Sequence, residues 1–315
     1  MLFRSVGMSM NADLKAFDFV TPVIILAGST GNLIVCCLII TNKKLRTSFN
    51  YLLLNLAISD LSYLLFVALF YAGKIRNLYF SDGDRTQSDF EGIACKVTVV
   101  SIDLTTKISV LTLAAISTDR FYAIVHPWKH RGASIKTKIR ILLLLIWLVA
   151  VVCCLPMVFI MAKIPNRFEG KSIAPLCFKF LVDTDSFKVI AFIDLIASYV
   201  IPMAIILRTS LEVIKHLWCR CWRPVRREGQ ILTKSRKRIT KVVFSVIVAF
   251  NIFWLPWAVL QGSLLIGAVH EINDRMFLIM FSLVLISASV NPILYSIQSR
   301  LFRKGVGKMI RCKSV

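Results

Sequence analysis

Apolar residues in this chain are gathered into long stretches that short polar segments separate. A stretch of about 20 such residues is long enough to cross a bilayer as an α-helix. The pattern predicts seven spans, at Phe19–Thr41, Tyr51–Gly73, Ile93–Val125, Ile139–Ala162, Phe187–Ile214, Ile239–Ile266 and Met276–Gln298. The segments between them are too short for a separate soluble domain. We therefore expect an all-α membrane protein, a seven-transmembrane helix bundle.

The composition supports this prediction and indicates which loops face the cytoplasm. Of the 315 residues, 57% are hydrophobic and 18% are charged, with a mean hydropathy of +0.72, whereas soluble domains carry more charge. The net charge of +22 does not call for nucleic acid, because the basic residues fall in alternate loops, as they do on the cytoplasmic side of membrane proteins. The runs begin at Lys43, Lys129, Lys215 and Arg300. The amino terminus is thus predicted outside and the carboxyl terminus inside, where basic loops attract anionic lipids of the bilayer.

Polar residues inside the spans are candidates for function. Asp60 lies mid-span, where an ionised carboxylate costs a few kcal/mol. It is either a protonated structural residue or, as we favour, part of a cluster with Asn32, Ser109 and Asn291 that holds a cation or waters. Prolines break the later spans and give them hinge points; they are Pro156, Pro202, Pro256 and Pro292.

One short motif on each helix resembles the rhodopsin-like (class A) G protein-coupled receptors, and the motifs occur in that family's order. They are Gly31-Asn32, LNLAISD with Asp60, Cys95, Asp119-Arg120-Phe121, Trp147, Pro202, FNIFWLPW with Phe250, Trp254 and Pro256, and NPILY from Asn291 to Tyr295. The resemblance implies a plasma-membrane receptor that binds an extracellular ligand. It also implies activation of heterotrimeric G proteins by outward movement of the sixth helix, with arrestin as a further partner.

The same resemblance implies roles for individual residues. Arg120 would contact the G protein and Asp119 would restrain it at rest, with Phe121 and Tyr295 completing the switch. Val110, Pro202 and Phe250 would form a packing connector below Trp254, beside the kink at Pro256. Asp60, Ser109 and Asn291 would form an allosteric sodium site. No other cofactor and no enzymatic activity are expected.

The cysteines and the chain ends complete this prediction. Among nine cysteines, Cys95 and Cys177 lie on the outer side and predict one disulfide; their loop is long enough for a β-hairpin. The predicted organisation is an extracellular segment over 1–18, the bundle over 19–298, and an amphipathic eighth helix with a short cytoplasmic tail over 299–315. Cys312 is a palmitoylation candidate, and the eighth helix would bury Leu301, Phe302, Val306 and Ile310.

Some positions depart from the family pattern. Phe121 and Phe253 replace a tyrosine and a cysteine, Ser210 stands where a tyrosine usually stabilises the active state, and Arg236 stands where some members carry an acid that locks the arginine. Without that lock, resting stability would depend on Asp119 and packing. We therefore expect measurable basal signalling.

The ligand class is narrowed by a few residues. Leu285 replaces the lysine that an opsin needs, and Ile102 replaces the aspartate of amine receptors, with Asp103 turned about 100° away. We favour a neuropeptide as the ligand; a lipid or other small molecule, or a weakly coupling receptor, stays open.

Lys107 and Asp194 also lie in spans, where Lys107 would pair with a carboxylate or reach the interface. The predicted pocket contains Ile102, Asp103, Thr106, Trp254, Trp257, Gln261, Phe277 and Phe281.

Other functional classes fit the sequence less well. A transporter or channel needs a continuous polar path, usually with paired charges, but the buried polar residues here coincide with the receptor motifs. A membrane enzyme needs a catalytic cluster. The four histidines are not grouped for a metal; they are His126, His130, His216 and His270.

Overall fold

The protein is described by a computed structural model over residues 2–79, 89–126, 135–163, 167–168, 171–172, 185–219, 227–268, 274–298 and 300–310. The described helices are α1 (Leu2–Thr41), α2 (Ser48–Tyr79), α3 (Asp89–Val125), α4 (Ile135–Lys163), α6 (Arg227–Leu265), α7 (Asp274–Gln298) and α8 (Arg300–Ile310). Helix α5 has three consecutive parts, namely Asp185–Leu195, a π-helical segment Ile196–Val200, and Ile201–Cys219. A 3₁₀ turn, Lys43–Leu45, joins α1 to α2.

The described helices confirm the predicted membrane bundle. Six of them carry apolar segments long enough to span a membrane, and α7 carries a shorter one, Ile279–Leu294. Large apolar side chains such as Leu144, Leu148 and Phe159 point outward from α4 and are exposed. Such a surface is unfavourable in water but suits lipid. The chain is therefore a multi-pass membrane protein with an all-α fold.

Several helices extend beyond the apolar spans that predicted them. Helix α1 begins at Leu2 rather than near Phe19, so it includes most of the predicted extracellular segment. Helix α6 begins at Arg227, within the basic run that the sequence placed in a loop. The apolar pattern predicts which residues lie in the bilayer, but not where a helix begins or ends. Lys, Arg, Gln and Glu are good helix formers in water, so a helix can continue beyond its apolar span. Between α4 and α5, the strands β1 (Arg167–Phe168) and β2 (Lys171–Ser172) pair antiparallel as a short hairpin.

Three apolar clusters occur among the described residues, and the two largest of them hold most of the helices together. The larger cluster contains residues from each of the helices α1 through α6 and from α8, packed around the fully buried Leu38, Leu56 and Ile108. The smaller one joins α1, α2 and α7 around Leu64 and Leu285. Trp254 of α6 packs against both clusters. It therefore links the outer and inner halves of the bundle.

Helix α8 packs against α1. Phe302 is buried in the larger cluster and Val306 packs against it. A Cβ atom added at Gly305 would lie 2.8 Å from Leu38 Cδ2. A larger residue at Gly305 would therefore require the Leu38 side chain to shift. The side chains of Leu301 and Ile310, assigned to the same face by the sequence, lie outside the described part.

Proline and glycine set the local breaks. Pro202 lacks an N–H, so the turn before it cannot keep the ordinary α-helical hydrogen bonds. The backbone adopts a π turn there, in which Ile201 N–H donates to Ile196 O. Helix α6 ends at Leu265 and is followed by Gly267, whose φ of 72° is accessible to glycine without strain.

Candidate functional site

A buried polar cluster forms in the middle of the bundle around Asp60 of α2. Ser109 of α3 donates to Asp60 Oδ1 at 3.2 Å, and Asn291 of α7 donates Nδ2 to Asp60 Oδ2 at 2.8 Å. Ser109 also lies 3.0 Å from Ser59, whose hydroxyl donates to the backbone oxygen of Thr105 at 2.7 Å. The structure thus brings together the three residues that the sequence assigned to one site. The sequence analysis did not assign Ser59 to this cluster, although its position directly before Asp60 could have indicated it.

A second polar contact ties α1 to α7. Asn32 donates Nδ2 to the backbone oxygens of Gly28 and Ala288, both at 3.0 Å. Its Oδ1 is buried and has no hydrogen-bond partner in the described part of the chain. Gly28 packs directly against Ser289, which leaves no room for a Cβ. A buried acceptor of this kind is normally satisfied by a water or an ion.

The residues around Asp60 fit a small hard cation. Such ions take oxygen ligands, and the cluster offers the Asp60 carboxylate with the Ser59 and Ser109 hydroxyls. A carboxylate has about four acceptor positions, and the two described hydrogen bonds occupy only part of this capacity. Groups of three His, Cys, Asp or Glu residues, typical of transition-metal sites, do not occur in the described ranges.

Three helices meet in a hydrogen-bond chain that starts at Asn55. Asn55 of α2 donates Nδ2 to Thr112 Oγ1 of α3 at 2.8 Å, and Trp147 Nε1 of α4 donates to Asn55 Oδ1 at 3.0 Å. Thr112 donates in turn to Ile108 O at 2.6 Å. The sequence singled out Trp147 but not Asn55 or Thr112. This chain fixes α2, α3 and α4 relative to one another below the Asp60 cluster.

The predicted connector residues lie in or beside the larger apolar cluster. Val110 and Phe250 are both buried in the larger apolar cluster, and Pro202 is also buried. The Phe250 and Trp254 rings stack, with centroids 5.6 Å apart and planes inclined by 19°. A movement of Trp254 would therefore displace Phe250 directly, because close-packed side chains transmit small shifts.

The predicted ligand pocket is only partly assembled by the described residues. Ile102, Trp254, Trp257 and Phe281 pack around the smaller apolar cluster. Thr106 and Gln261 are partly buried, and their place in the pocket stays a prediction. The side chain of Phe277 lies outside the described part of the chain.

Asp103 points away from Ile102 and enters an ion-pair triad. Lys107 Nζ lies 2.5 Å from both oxygens of Asp103 and 2.9 Å from Asp194 Oδ1 on α5. The side chain of Lys107 is 3% exposed, against 17% for Asp103 and 24% for Asp194. The sequence left open whether Lys107 pairs with a carboxylate or reaches the interface, and the structure shows the pairing. The chain pattern alone does not show that α3 and α5 are neighbours at this level, so it could not identify Asp194 as a partner.

Arg120 lies near the carboxyl-terminal end of α3, where it makes two contacts. Its Nε donates to Asp119 Oδ2 at 3.0 Å, with a second, shorter contact from Nη2 to the same oxygen. Its guanidinium also lies over the Phe49 ring of α2, 4.5 Å from the centroid. Both charged side chains are 14% exposed. The cation–π contact was not foreseen, and it stabilises the bound position of Arg120 in addition to the ion pair.

Hydroxyl groups join α3 to α5 near the same end. Ser117 Oγ lies 2.7 Å from Thr209 Oγ1 and 3.4 Å from Ser210 Oγ. Ser210 occupies the position where the resemblance leads one to expect a tyrosine. Its short side chain contacts Ser117 instead of reaching further towards Arg120.

Several predicted site residues lie wholly or partly outside the described part. Cys95 is disulfide-bonded; Cys177, its predicted partner, lies outside, so the pairing stays a prediction. Cys312 lies outside as well. The backbones of Tyr295 and Arg236 are helical, but their side chains are not described.

Comparison with known proteins supports one family over most of the chain. A family model described as "7 transmembrane receptor (rhodopsin family)" matches residues 31–295. The allatostatin-A receptor of Bombyx mori is 28% identical over 296 residues, covering 91% of this chain and 77% of that protein. The galanin receptor 2b of Danio rerio is 28% identical over 312 residues, covering 98% and 78%. The tachykinin-like peptides receptor 86C of Drosophila melanogaster is 31% identical over 300 residues, covering 90% of this chain but 56% of that protein.

Proposed function

Because the chain belongs to the rhodopsin family of seven-transmembrane receptors, we propose that it binds an extracellular peptide and activates heterotrimeric G proteins. The peptide assignment is supported by the relatives, whose names refer to allatostatin-A, galanin and tachykinin-like peptides. The single structural observation that carries the coupling proposal is the partly buried Arg120, held by Asp119 and Phe49 at the inner end of the bundle.

The connector supplies a physical route from ligand to G protein. A ligand that contacts Trp254 would shift the stacked Phe250 and loosen the packing around Val110. Helix α6 would then move outward from its hinge at Pro256, and Arg120 would be released to contact the G protein. Such a change requires only that the ligand binds the open packing better than the closed one. Agonist and G protein would then raise each other's affinity.

The proposed topology places the amino terminus outside and the carboxyl terminus in the cytoplasm of a cell whose plasma membrane holds the receptor. It is supported by the alternation of basic loops. In this arrangement residues 1–18 are extracellular, residues 19–298 form the bundle, and residues 299–315 form the eighth helix and tail. Arrestin would use the same inner face as the G protein. A tag at either end, probed with antibody on intact cells, tests the orientation.

A peptide library screened on cells with a promiscuous G protein tests the ligand and coupling proposals together. At least one peptide should raise the second-messenger signal in cells that express the receptor and leave matched cells without the receptor unchanged. A response limited to lipids or other small molecules would assign the alternative ligand class. If the receptor is expressed at the cell surface but responds neither to peptides nor to lipids and other small molecules, and has no basal signal, the coupling proposal fails.

We further propose that sodium binds at Asp60 and favours the resting packing. The oxygen-rich cluster of Asp60, Ser109 and Ser59 supports this. Asp60→Asn removes the charge that holds the ion while keeping the shape of the side chain. In wild-type membranes, replacing sodium by a large organic cation should raise basal nucleotide exchange on the G protein; in the variant the same replacement should have no effect. Equal sodium sensitivity of the two proteins would argue against the site.

A further inference from the structure

The triad of Asp103, Lys107 and Asp194 contains two carboxylates and one ammonium. All three lie inside the apolar spans of α3 and α5. When the three groups are ionised, the triad carries one negative charge in excess. A charge of this kind is expensive inside a membrane protein unless a partner offsets it.

Asp194 is the less completely paired carboxylate of the triad. Lys107 Nζ lies 2.5 Å from both oxygens of Asp103 but contacts only Oδ1 of Asp194, at 2.9 Å. Ser198 donates to the same Oδ1 at 3.0 Å. Among the described residues, both polar contacts of Asp194 therefore go to one oxygen, and Oδ2 receives no hydrogen bond there. An ionised carboxylate accepts about four hydrogen bonds, so Asp194 has capacity for a further donor.

The open oxygen belongs to the more accessible part of the triad. About a quarter of the Asp194 side chain is exposed, whereas Lys107 is buried beneath the two carboxylates. Lysine side chains on helices point back towards the helix start, so Lys107 reaches outward along α3 and leaves the acids nearer the extracellular end. A ligand that enters from outside would therefore meet carboxylate before ammonium.

The position of Asp194 is next to the predicted ligand pocket. Charged groups in spans face the bundle interior rather than lipid. The preceding turn of α3 presents Ile102 to the cluster of Trp254, Trp257 and Phe281. Leu195, the neighbour of Asp194, lies 3.9 Å from a Cβ added at Gly262 of α6. Asp194 thus lies where α3, α5 and α6 meet.

We propose that Asp194 is a specificity-determining residue of the ligand pocket, and that it binds a positively charged group of the ligand, an amine or a guanidinium. This inference rests on the proposed receptor function and narrows its ligand class. The cation neutralises the excess charge of the triad, and a guanidinium can donate two hydrogen bonds to a carboxylate. Ser198, in the π-helical segment below, fixes the side chain of Asp194 in advance. Lys107 is a positioning residue that occupies both oxygens of Asp103.

Two small probes test the inference without knowledge of the natural ligand. Nα-acetyl-L-argininamide carries a guanidinium, and Nα-acetyl-L-citrullinamide has nearly the same shape with a neutral urea in its place. We expect the purified full-length receptor to bind the guanidinium probe at least about tenfold more tightly than the urea probe. A hydrogen bond to a charged group contributes enough free energy to change the affinity by this factor. Titration followed by ligand-observed NMR measures both affinities. The acetyl group removes the charge of the α-amino group from both probes, so the ratio of the two affinities isolates the side-chain charge.

Variants locate the effect. Asp194→Asn should reduce the preference to near unity, and Asp194→Glu should restore most of it. Glu212→Gln removes an acid from the exposed inner part of the same helix and should leave the preference unchanged. A merely structural role for Asp194 would lower thermal stability in Asp194→Asn without changing the ratio of the two affinities.

The outcomes separate this inference from the proposed coupling. Equal binding of the two amides by the wild-type receptor, binding of neither, or a preference that survives Asp194→Asn would each overturn the inference. The assay contains no G protein, so such a result leaves the proposed coupling intact. A peptide response without charge preference in cells would likewise support coupling and count against the role of Asp194.

Discussion

Replacing Lys107 by methionine is expected to destabilise the folded bundle by about 3–5 kcal/mol. The methionine fills a similar volume but leaves the carboxylates of Asp103 and Asp194 facing each other without a cation. Breaking a buried pair on one side costs this much because the remaining charge keeps its desolvation penalty. Unfolding of the purified receptor in mixed detergent micelles gives the free energy difference, provided that it is reversible.

The matched control is the same substitution at Lys215. That lysine pairs with Glu212 at 3.3 Å, but the two side chains are 68% and 47% exposed. An exposed pair of this kind contributes about 0–1 kcal/mol. The variant that neutralises all three members of the triad should recover most of the stability that Lys107→Met loses. If Lys107→Met and Lys215→Met cost the same, the triad is not the buried unit described above.

Replacing Arg120 by alanine is expected to lower receptor-stimulated nucleotide exchange on the G protein at least about tenfold, because the contact would lose a charged donor. The receptor should still reach the membrane, since Arg120 lies at the rim of the bundle and is itself partly exposed. Arg140→Ala, at an exposed position on α4, provides a charge-matched control. Exchange on purified G protein, normalised to receptor amount, measures the effect. Undiminished exchange by the variant would remove Arg120 from the proposed mechanism.

Replacing Asp119, the partner of Arg120 in this ion pair, should raise signalling rather than lower it. Asp119→Asn removes the charge that holds Arg120 at 3.0 Å but leaves the Phe49 contact in place. Basal signalling should rise roughly fivefold, the ratio that about 1 kcal/mol of lost pairing produces. We expect a moderate rise rather than full activation, because the cation–π contact still favours the bound position of Arg120. An unchanged baseline would contradict a restraining role for Asp119.

The sequence predicted much of the candidate site because its signals are local. Asp60, Ser109 and Asn291 stand out as polar residues inside apolar stretches, and the structure brings them within hydrogen-bond distance. The connector residues Val110 and Phe250 were assigned through the resemblance, and both lie in one apolar cluster. Each of these residues is either a polar side chain whose burial in a membrane costs free energy or a member of a family motif. Both kinds can be identified from the sequence alone.

Other parts of the site depend on which helices are neighbours. Lys107 meets Asp194 across 87 positions of the chain, and Arg120 lies over a phenylalanine near the start of α2. The π turn before Pro202 shifts the register of α5, which decides the direction in which Asp194 and Ser198 point. Apolar periodicity contains no information on such contacts between distant segments.

The sequence by itself determined that this chain is a helical membrane bundle of the rhodopsin family and which side chains are unusual within its spans. The bilayer imposes this, since a spanning segment must be apolar and must satisfy its own backbone hydrogen bonds. Only the tertiary structure decided how the unusual side chains are paired. A charge of either sign in a span must find an opposite charge or a polar cavity, and the packing of α3 against α5 selects that partner. The same packing leaves one oxygen of Asp194 open towards the proposed ligand.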